Sequence, residues 1–145
     1  INESGYLAIV VTNQPVIARG EVTIEGLKEI HNKLETLLGL QGAYIDGLYY
    51  CPHHPDKGFE GEVVELKIDC DCRKPKPGMV MKANKDFNID LNSSWFIGDS
   101  KRDIECGKNA GCKTILLTSG ESGAGEFGQD LTVDRLLDAV DIILN

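Results

Sequence analysis

The chain has 145 residues, of which 41% are hydrophobic and 26% charged, and its formal net charge is −8. This length suits a single domain, and the composition excludes collagen-like and disordered proteins. The negative charge disfavours nucleic acid and anionic membranes as partners. The sequence has no apolar run near the ~20 residues that span a bilayer, and its first residues lack a basic stretch followed by an apolar core. We therefore expect a cytoplasmic protein.

The hydrophobic pattern predicts strands that alternate with helices. In chain order the predicted elements are a buried strand at 7–12, a helix from the Thr23 cap to Gly39, a strand at 44–50, a helix at 79–87, a strand at 95–97, a helix at 101–110, strands at 114–118 and 131–133, and a helix at 136–144. We expect 51–77 to be irregular and the glycine-rich stretch 119–128 to be mobile. This alternation predicts an α/β fold with one doubly wound parallel sheet, in a single domain 1–145, with ligands beyond the carboxyl ends of its strands.

Four metal-ligating side chains occur in two pairs, Cys51-Pro-His53 and Cys70-Asp-Cys72. Alternate residues of each pair can point toward one tetrahedral ion, and three thiolates with one imidazole form a closed structural zinc site. A polar loop of this kind has no core of its own, so we expect Zn²⁺ to pin the ends of a metal loop, residues 51–74. His54 is an alternative ligand, and two unrelated pairs of reduced cysteines are the alternative interpretation.

Two groups of polar residues can meet a phosphate. Thr12, Asn13 and Gln14 end the first predicted strand, where a hydroxyl, an amide and backbone N–H groups are available. A plain turn is the alternative there. Arg73 and Lys74 put positive charge at the end of the metal loop. The planar fork of arginine can grip a phosphate and lysine can offset the charge of a transferring phosphoryl group; a solvated basic pair is the alternative.

An acidic turn follows the strand at 95–97. Asp99 can bind Mg²⁺ through its carboxylate. Asp103 lies four residues further on, where a carboxylate stabilises the first turn of a helix. It is therefore either a helix-start residue or a partner of the Asp99 site.

These groups occur within the segments VVTNQPVIARG, YYCPHHP, CDCRKPKPGM and WFIGDS, which together resemble phosphatases of the haloacid dehalogenase superfamily. Within that superfamily the segments are most similar to the heptose-bisphosphate and histidinol-phosphate phosphatases. The resemblance spans nearly the whole chain. It implies a Rossmann-like fold and magnesium-dependent hydrolysis of a sugar or polyol phosphate through an aspartyl-phosphate. D-glycero-D-manno-heptose 1,7-bisphosphate is the expected kind of substrate, and histidinol phosphate is the alternative.

The resemblance also implies roles for single residues. The expected roles are phosphoryl binding and stabilisation for Thr12 and Lys74, substrate contact for Asn13, Gln14, Arg73 and Ser100, magnesium binding for Asp99, and zinc binding for Cys51, His53, Cys70 and Cys72. Thr12, Arg73, Lys74 and Asp99 should then converge on one phosphate at one rim of the sheet.

The sequence departs from the family's usual residues at two places. Pro15-Val16 replaces the usual Ser-Gly of the heptose enzymes, and Ser100 stands where a substrate-contacting lysine is common. The Pro-Val form is similar to phosphatase domains attached to sugar-nucleotidyltransferases, so a fused domain of that kind is one expectation.

A larger departure concerns the nucleophile. The family's first strand ends in Asp-x-Asp, the nucleophile and general acid, and no such motif precedes Thr12; Asp69-Cys-Asp71 lies inside the metal loop. We therefore expect N-terminal truncation. An upstream segment would supply a central strand between the strands that end at Thr12 and Ile97, and this chain alone would be inactive. A non-catalytic, zinc-stabilised module that binds phosphosugars or a partner domain is the alternative from another class.

Overall fold

The structure is a computed structural model that describes residues 1–119 and 125–145. Part of the loop predicted to be mobile, 119–128, therefore lies outside the described residues. The described residues form two compact units, Ile1–Arg73 and Lys74–Asn145. Each unit contains parallel strands and helices, so the predicted α/β class is confirmed. The assignment of the whole chain to one domain stays a prediction.

The first unit contains two parallel strands and the helix that connects them. Strand β1 (Ile9–Asn13) pairs along its whole length with β2 (Gly47–Cys51). Helix α1 (Ile24–Gly39) begins after Thr23, whose hydroxyl accepts a hydrogen bond from the Gly26 amide at 3.0 Å. Such an N-cap satisfies one of the free amides of the first turn. Because β1 and β2 are parallel and end opposite each other, the segments after Asn13 and Cys51 leave the sheet at the same edge.

The second unit is built on three parallel strands in the order β3 (Trp95–Gly98), β4 (Lys113–Leu117) and β5 (Leu131–Val133). Its helices are α2 (Gly78–Phe87), α3 (Lys101–Ala110) and α4 (Leu136–Leu144). Helix α3 packs on β3 and β4, and its Ile104 is fully buried, as are Ile115 and Leu116 of β4. The carboxyl ends of β3 and β4 therefore rest on a rigid apolar base.

The first two strands begin later than the apolar pattern predicts. Leu7 and Tyr44 are 46% and 56% exposed, so neither belongs to the buried part of its strand. The Asp46 carboxylate accepts a hydrogen bond from the Ala8 amide at 2.7 Å, and the Asp46 amide donates to the Ala8 carbonyl at 2.9 Å. This side-chain contact occupies the place of a ladder hydrogen bond, and regular pairing begins one residue later.

The described strands form two sheets, where the sequence predicts one. β1 pairs with β2 in the first sheet, and β3 and β5 are the edge strands of the second. All five residues of β1 are half-buried rather than buried, because its sheet contains one neighbouring strand. Among the described residues, no helix combines the length and the apolar character that crossing a membrane requires.

Candidate active site and metal centre

Four ligand atoms come together at the ends of the metal loop. The Sγ atoms of Cys51 and Cys70 lie 3.5 Å apart, and Cys72 Sγ lies 3.1 Å from the first and 3.3 Å from the second. His53 Nδ1 lies 3.3 Å from Cys72 Sγ, and all four ligand atoms lie within 4.8 Å of one another. In a tetrahedral zinc site with bonds of about 2.3 Å, sulfurs lie about 3.8 Å apart. The predicted set of side chains can therefore hold one metal ion.

The electrostatics of the three thiols also fit a cation. Burial raises the pKa of the Cys51 thiol, and burial together with the neighbouring sulfurs raises the pKa of Cys72. Burial also acts to raise the pKa of Cys70, but hydrogen bonds from Cys72 and from the Arg73 amide outweigh it and lower that pKa. Three thiolates side by side would repel one another, so full deprotonation needs a bound positive charge.

The local fold explains why His53 rather than its neighbour joins this cluster. Cys51 ends β2 and is fully buried, so the chain leaves the sheet at a fixed point. The amide of His54 donates to the Leu66 carbonyl at 3.2 Å, and its Nδ1 accepts from the Asp56 amide at 3.2 Å. His54 is thus used within the loop and lies outside the four-residue group found among the described residues.

The polar triplet at the end of β1 is ordered by hydrogen bonds. Gln14 Nε2 donates to Thr12 Oγ1 at 3.0 Å, and the Gln14 amide donates to the Cys51 carbonyl at 2.8 Å. Asn13 lies opposite Cys51 in the ladder. The triplet is therefore tied to the start of the metal loop. At the other end of that loop, Arg73 Nη1 donates to the His53 carbonyl at 3.3 Å.

A cavity of about 400 Å³ lies beyond the carboxyl ends of β3 and β4 in the second unit. It is lined by Lys74, Ile97, Gly98, Asp99, Asp103, Leu117 and Ser119. Lys74 Nζ lies 2.6 Å from Asp103 Oδ1, and both side chains are largely shielded from solvent, with 15% and 8% exposed. One cation and two carboxylates therefore share a single pocket where a parallel sheet is expected to bind ligands.

Asp103 is a helix-start residue, one of the two roles that the sequence left open, and it also pairs with Lys74 in the pocket that Asp99 lines. Its Oδ2 accepts hydrogen bonds from the amide and the hydroxyl of Ser100, at 3.1 and 2.7 Å, which caps α3. Burial acts to raise the pKa of Asp103, but hydrogen bonds from Lys74 and Ser100 outweigh it and hold that pKa below its usual range. The carboxylate is thus ionised and fixes Lys74. Since the Ser100 hydroxyl is engaged with Asp103, its contact with substrate stays a prediction.

Known proteins with similar sequences place the chain in a family. The HAD-hydrolase-like family model matches residues 71–139. The D-glycero-beta-D-manno-heptose-1,7-bisphosphate 7-phosphatase of Pasteurella multocida is 43% identical over 118 residues, which are 81% of this chain and 61% of that protein. The protein of the same name from Yersinia pestis is 37% identical over 141 residues, 95% of this chain and 73% of that protein. The chain belongs to this family of HAD-like phosphatases.

A solved structure of a heptose-bisphosphate phosphatase has the same fold. The crystal structure of the D,D-heptose 1,7-bisphosphate phosphatase from B. bronchiseptica, complexed with magnesium and phosphate, aligns with a TM-score of 0.82 and 29% sequence identity. The alignment covers 99% of this chain and 76% of that chain. The present chain spans less than two thirds of the length of its P. multocida relative.

The site residues predicted from the sequence fall into two groups, one in each unit. Lys74, Asp99 and Asp103 line one pocket of the second unit. The Thr12–Gln14 triplet and the metal cluster belong to the first unit, with Arg73 at its end. The convergence of both groups on one phosphate stays a prediction.

The sequence interpretation assigned no structural role to two residues of this chain, Gly98 and Lys67. At Gly98, a Cβ atom would lie 2.2 Å from Asp103 Cβ, so only glycine lets Asp103 approach the strand end. Glycine at a strand end is a recognisable signal for such a close approach. Lys67 of the metal loop is fully buried, and its sequence context does not distinguish it from the exposed Lys57.

Proposed function

We propose that the chain serves a magnesium-dependent phosphatase that hydrolyses D-glycero-D-manno-heptose 1,7-bisphosphate or a closely similar sugar phosphate. The observation that carries the proposal is the pocket of the second unit, in which Asp99 lies with the Lys74–Asp103 ion pair. Membership of the heptose-bisphosphate phosphatase family supports the choice of substrate. A pocket with one fixed cation and a carboxylate suits a phosphate ester and a divalent cation together.

In this proposal Lys74 offsets the negative charge that builds on the transferring phosphoryl group. The ion pair with Asp103 holds its ammonium in place before substrate arrives, so little reorganisation is needed during the reaction. Asp99 offers the hard oxygen ligand that Mg²⁺ prefers, and the cavity leaves room for water and phosphate oxygens as further ligands. When bound, Mg²⁺ would further neutralise the phosphoryl oxygens.

The residues of the first unit would bind the rest of the substrate. Thr12 offers a hydroxyl for a phosphoryl oxygen, and its hydrogen bond with Gln14 orients that hydroxyl. Asn13 and Gln14 offer amide groups for substrate hydroxyls. Arg73, held at the end of the metal loop by the His53 carbonyl, would contact an anionic part of the substrate.

We propose that the ion at the cysteine–histidine cluster is Zn²⁺ in a structural role. Three sulfurs and one imidazole nitrogen leave no open position for an activated water, unlike a catalytic zinc site. A zinc site built from three cysteines also supports a reducing location such as the cytoplasm. The function of the ion would be to fix the metal loop and, through it, Arg73.

We further propose that the aspartyl nucleophile comes from outside these 145 residues. Asp69 and Asp71 form the one Asp-x-Asp motif near a phosphate-binding residue, but both are exposed in the metal loop and follow no strand. An upstream segment with its own Asp-x-Asp would complete the site. A fused nucleotidyltransferase-type domain is a separate part of the proposal that rests on Pro15-Val16 alone.

The decisive experiment measures phosphate release by the complete protein with Mg²⁺. Heptose 1,7-bisphosphate and histidinol phosphate are compared at equal concentration, and we expect the bisphosphate to react faster. Asp99→Asn and Lys74→Met should each lower kcat by on the order of 10²-fold or more. Lys85→Met, an exposed substitution on α2, is the matched control. Binding of both esters without release by the complete protein would instead favour a non-catalytic phosphosugar-binding module.

A further inference from the structure

Lys67 is a buried cation in the metal loop. Its side chain is 0% exposed, and Nζ has no hydrogen-bond acceptor among the described residues. Two weaker contacts compensate the charge: Glu62 Oε2 lies 3.6 Å from Nζ, and the centre of the Phe59 ring lies 5.1 Å from it. Burying a charge is unfavourable unless it is paired. These two contacts must therefore hold the side chain in place.

Both partners of Lys67 belong to one tight turn, residues 58–62, which we call the outer turn. Glu62 closes this turn, because its Oε1 accepts from the Gly58 amide at 3.0 Å and its Oε2 from the Phe59 amide at 3.1 Å. These backbone hydrogen bonds, followed by the charge of Lys67, lower the pKa of Glu62. Its carboxylate is thus the point where the outer turn and the buried ammonium meet.

The outer turn touches the segment that follows β1. The amide of Val63, next to the turn, donates to the Ala18 carbonyl at 2.9 Å. The approach at Gly20 is closer, since a Cβ atom there would lie 1.9 Å from the Gly61 carbonyl oxygen. The same segment begins at Gln14, whose side chain orients Thr12. A shift of the outer turn would therefore be felt by the residues that we propose to bind substrate.

We propose that Lys67 is a positioning residue of the substrate site: its buried ammonium holds the outer turn against the segment after β1 and so fixes the substrate-binding amides at the end of β1. The proposal rests on the proposed function for its effect on substrate, but the clamp itself does not. Lys67 lies in the first unit and does not belong to the pocket of Lys74 and Asp99. Its loss should affect substrate binding more than the chemical step.

Global stability is a poor test of this role. Replacing a buried ion pair by an apolar side chain of similar size is often neutral or stabilising, so Lys67→Met can leave the melting temperature unchanged whether or not the clamp exists. Amide hydrogen exchange at the outer turn reports directly on the clamp. Three amides carry the signal: those of Gly58, Phe59 and Val63.

The first measurement is amide hydrogen exchange of the zinc-loaded chain. Lys67→Met should accelerate exchange at the three amides about tenfold or more, with one zinc still bound. Glu62→Gln, which keeps the shape of the side chain but removes its charge, should do the same. Lys57→Met, at the exposed lysine of the same loop, is the matched control. Equal exchange in Lys67→Met and Lys57→Met would overturn the clamp.

The second measurement is the kinetics of the complete protein with heptose bisphosphate. Lys67→Met should raise KM about three- to tenfold and change kcat by less than about twofold. Lys57→Met should change neither value. Lys67→Arg should raise KM less than Lys67→Met does. Faster exchange with an unchanged KM would overturn the positioning role. If the complete unsubstituted protein hydrolyses no phosphate ester, the proposed function fails, and the exchange measurement still decides the clamp.

Discussion

Asp103 shows how one side chain can serve a helix and a site together. One of its oxygens caps α3 through Ser100, and the other contacts Lys74 at 2.6 Å. Only 8% of its side chain is exposed, so water screens the ion pair weakly. An ion pair of this kind, unlike one on the surface, is expected to affect stability measurably.

We predict that Asp103→Asn lowers the free energy of unfolding at neutral pH by about 2–3 kcal/mol, since a charged hydrogen-bond acceptor is lost and Lys74 is left without its carboxylate. Asp86→Asn is the matched control, because Asp86 makes an exposed pair with Lys82 and should change stability by less than about 0.5 kcal/mol. Denaturant unfolding at pH 7 measures both. Equal effects of the two substitutions would contradict the assigned role.

The same variant has a predicted pH dependence. The pKa of Asp103 is lower in the folded chain than in the unfolded chain, where it is about 3.9. Its stabilisation is therefore fully present above the unfolded value and is lost as pH falls through the folded value. The difference in the free energy of unfolding between the unsubstituted chain and Asp103→Asn should be constant from about pH 5 to 7 and should shrink below about pH 4. A difference that grows in acid would contradict the depressed pKa.

Packing against Asp103 restricts the residue type at position 98 to glycine. A Cβ atom there would lie 2.2 Å from Asp103 Cβ and 2.5 Å from Asp103 Cγ. We predict that Gly98→Ala destabilises the chain by about 1–3 kcal/mol and loosens the Lys74–Asp103 pair. Gly39→Ala, where a Cβ would meet no atom within 4 Å, should be neutral or slightly stabilising. Thermal unfolding of both variants measures the contrast, and equal melting temperatures would be evidence against the clash.

Among the elements, we expect the metal loop to depend most on a bound ion. The loop contains one short 3₁₀ turn, Val64–Leu66, between its two ligand pairs. Its ends are set by Cys51 at the end of β2 and by Cys72 before Arg73. Segments with so little regular structure commonly fold only with their ion.

We predict that removal of the proposed zinc ion by a chelator unfolds the metal loop but leaves the sheet of β3, β4 and β5 intact. The His54 amide, which donates to the Leu66 carbonyl, should lose its exchange protection, while the amides of β4 keep theirs. Native mass spectrometry should find one zinc before chelation and none after. Cys72→Ser should reproduce the loss, and Cys112→Ser is the control at a cysteine outside the cluster. Unchanged protection of His54 after chelation would contradict the structural role of the ion.

The sequence predicts the bounds of some elements better than those of others. Helices α1 and α3 end at glycine or a glycine-adjacent residue and carry polar caps, so local signals define their bounds. The cysteine–histidine set was also predictable, since the chemistry of the ligands and their spacing suffice. The late start of β1 was not, because it depends on Asp46 from a distant part of the chain. The burial of Lys67 was equally hidden, since it depends on how the outer turn folds over it.

At the scale of the whole molecule, the residues that we propose to handle phosphate are divided between two units. The ion pair and Asp99 belong to one unit, and the Thr12–Gln14 triplet belongs to the other. The sheet of the first unit consists of β1 and β2, and that of the second consists of β3, β4 and β5. The sequence contributes acceptors, donors and fixed charges to the proposed phosphatase site, but within 1–119 and 125–145 no Asp-x-Asp motif follows a strand.

We predict that residues 1–145 alone release no phosphate from heptose 1,7-bisphosphate above background, because binding and charge stabilisation without a nucleophile leave the covalent step unavailable. The measurement compares the purified chain with the complete protein at equal concentration in Mg²⁺, and complete protein carrying Asp99→Asn gives the background. The chain should still bind one zinc, which separates a missing nucleophile from a misfolded preparation. Phosphate release by the chain alone that Asp99→Asn abolishes would mean that a carboxylate within these residues acts as the nucleophile, and Asp69 and Asp71 would then be the first candidates to substitute.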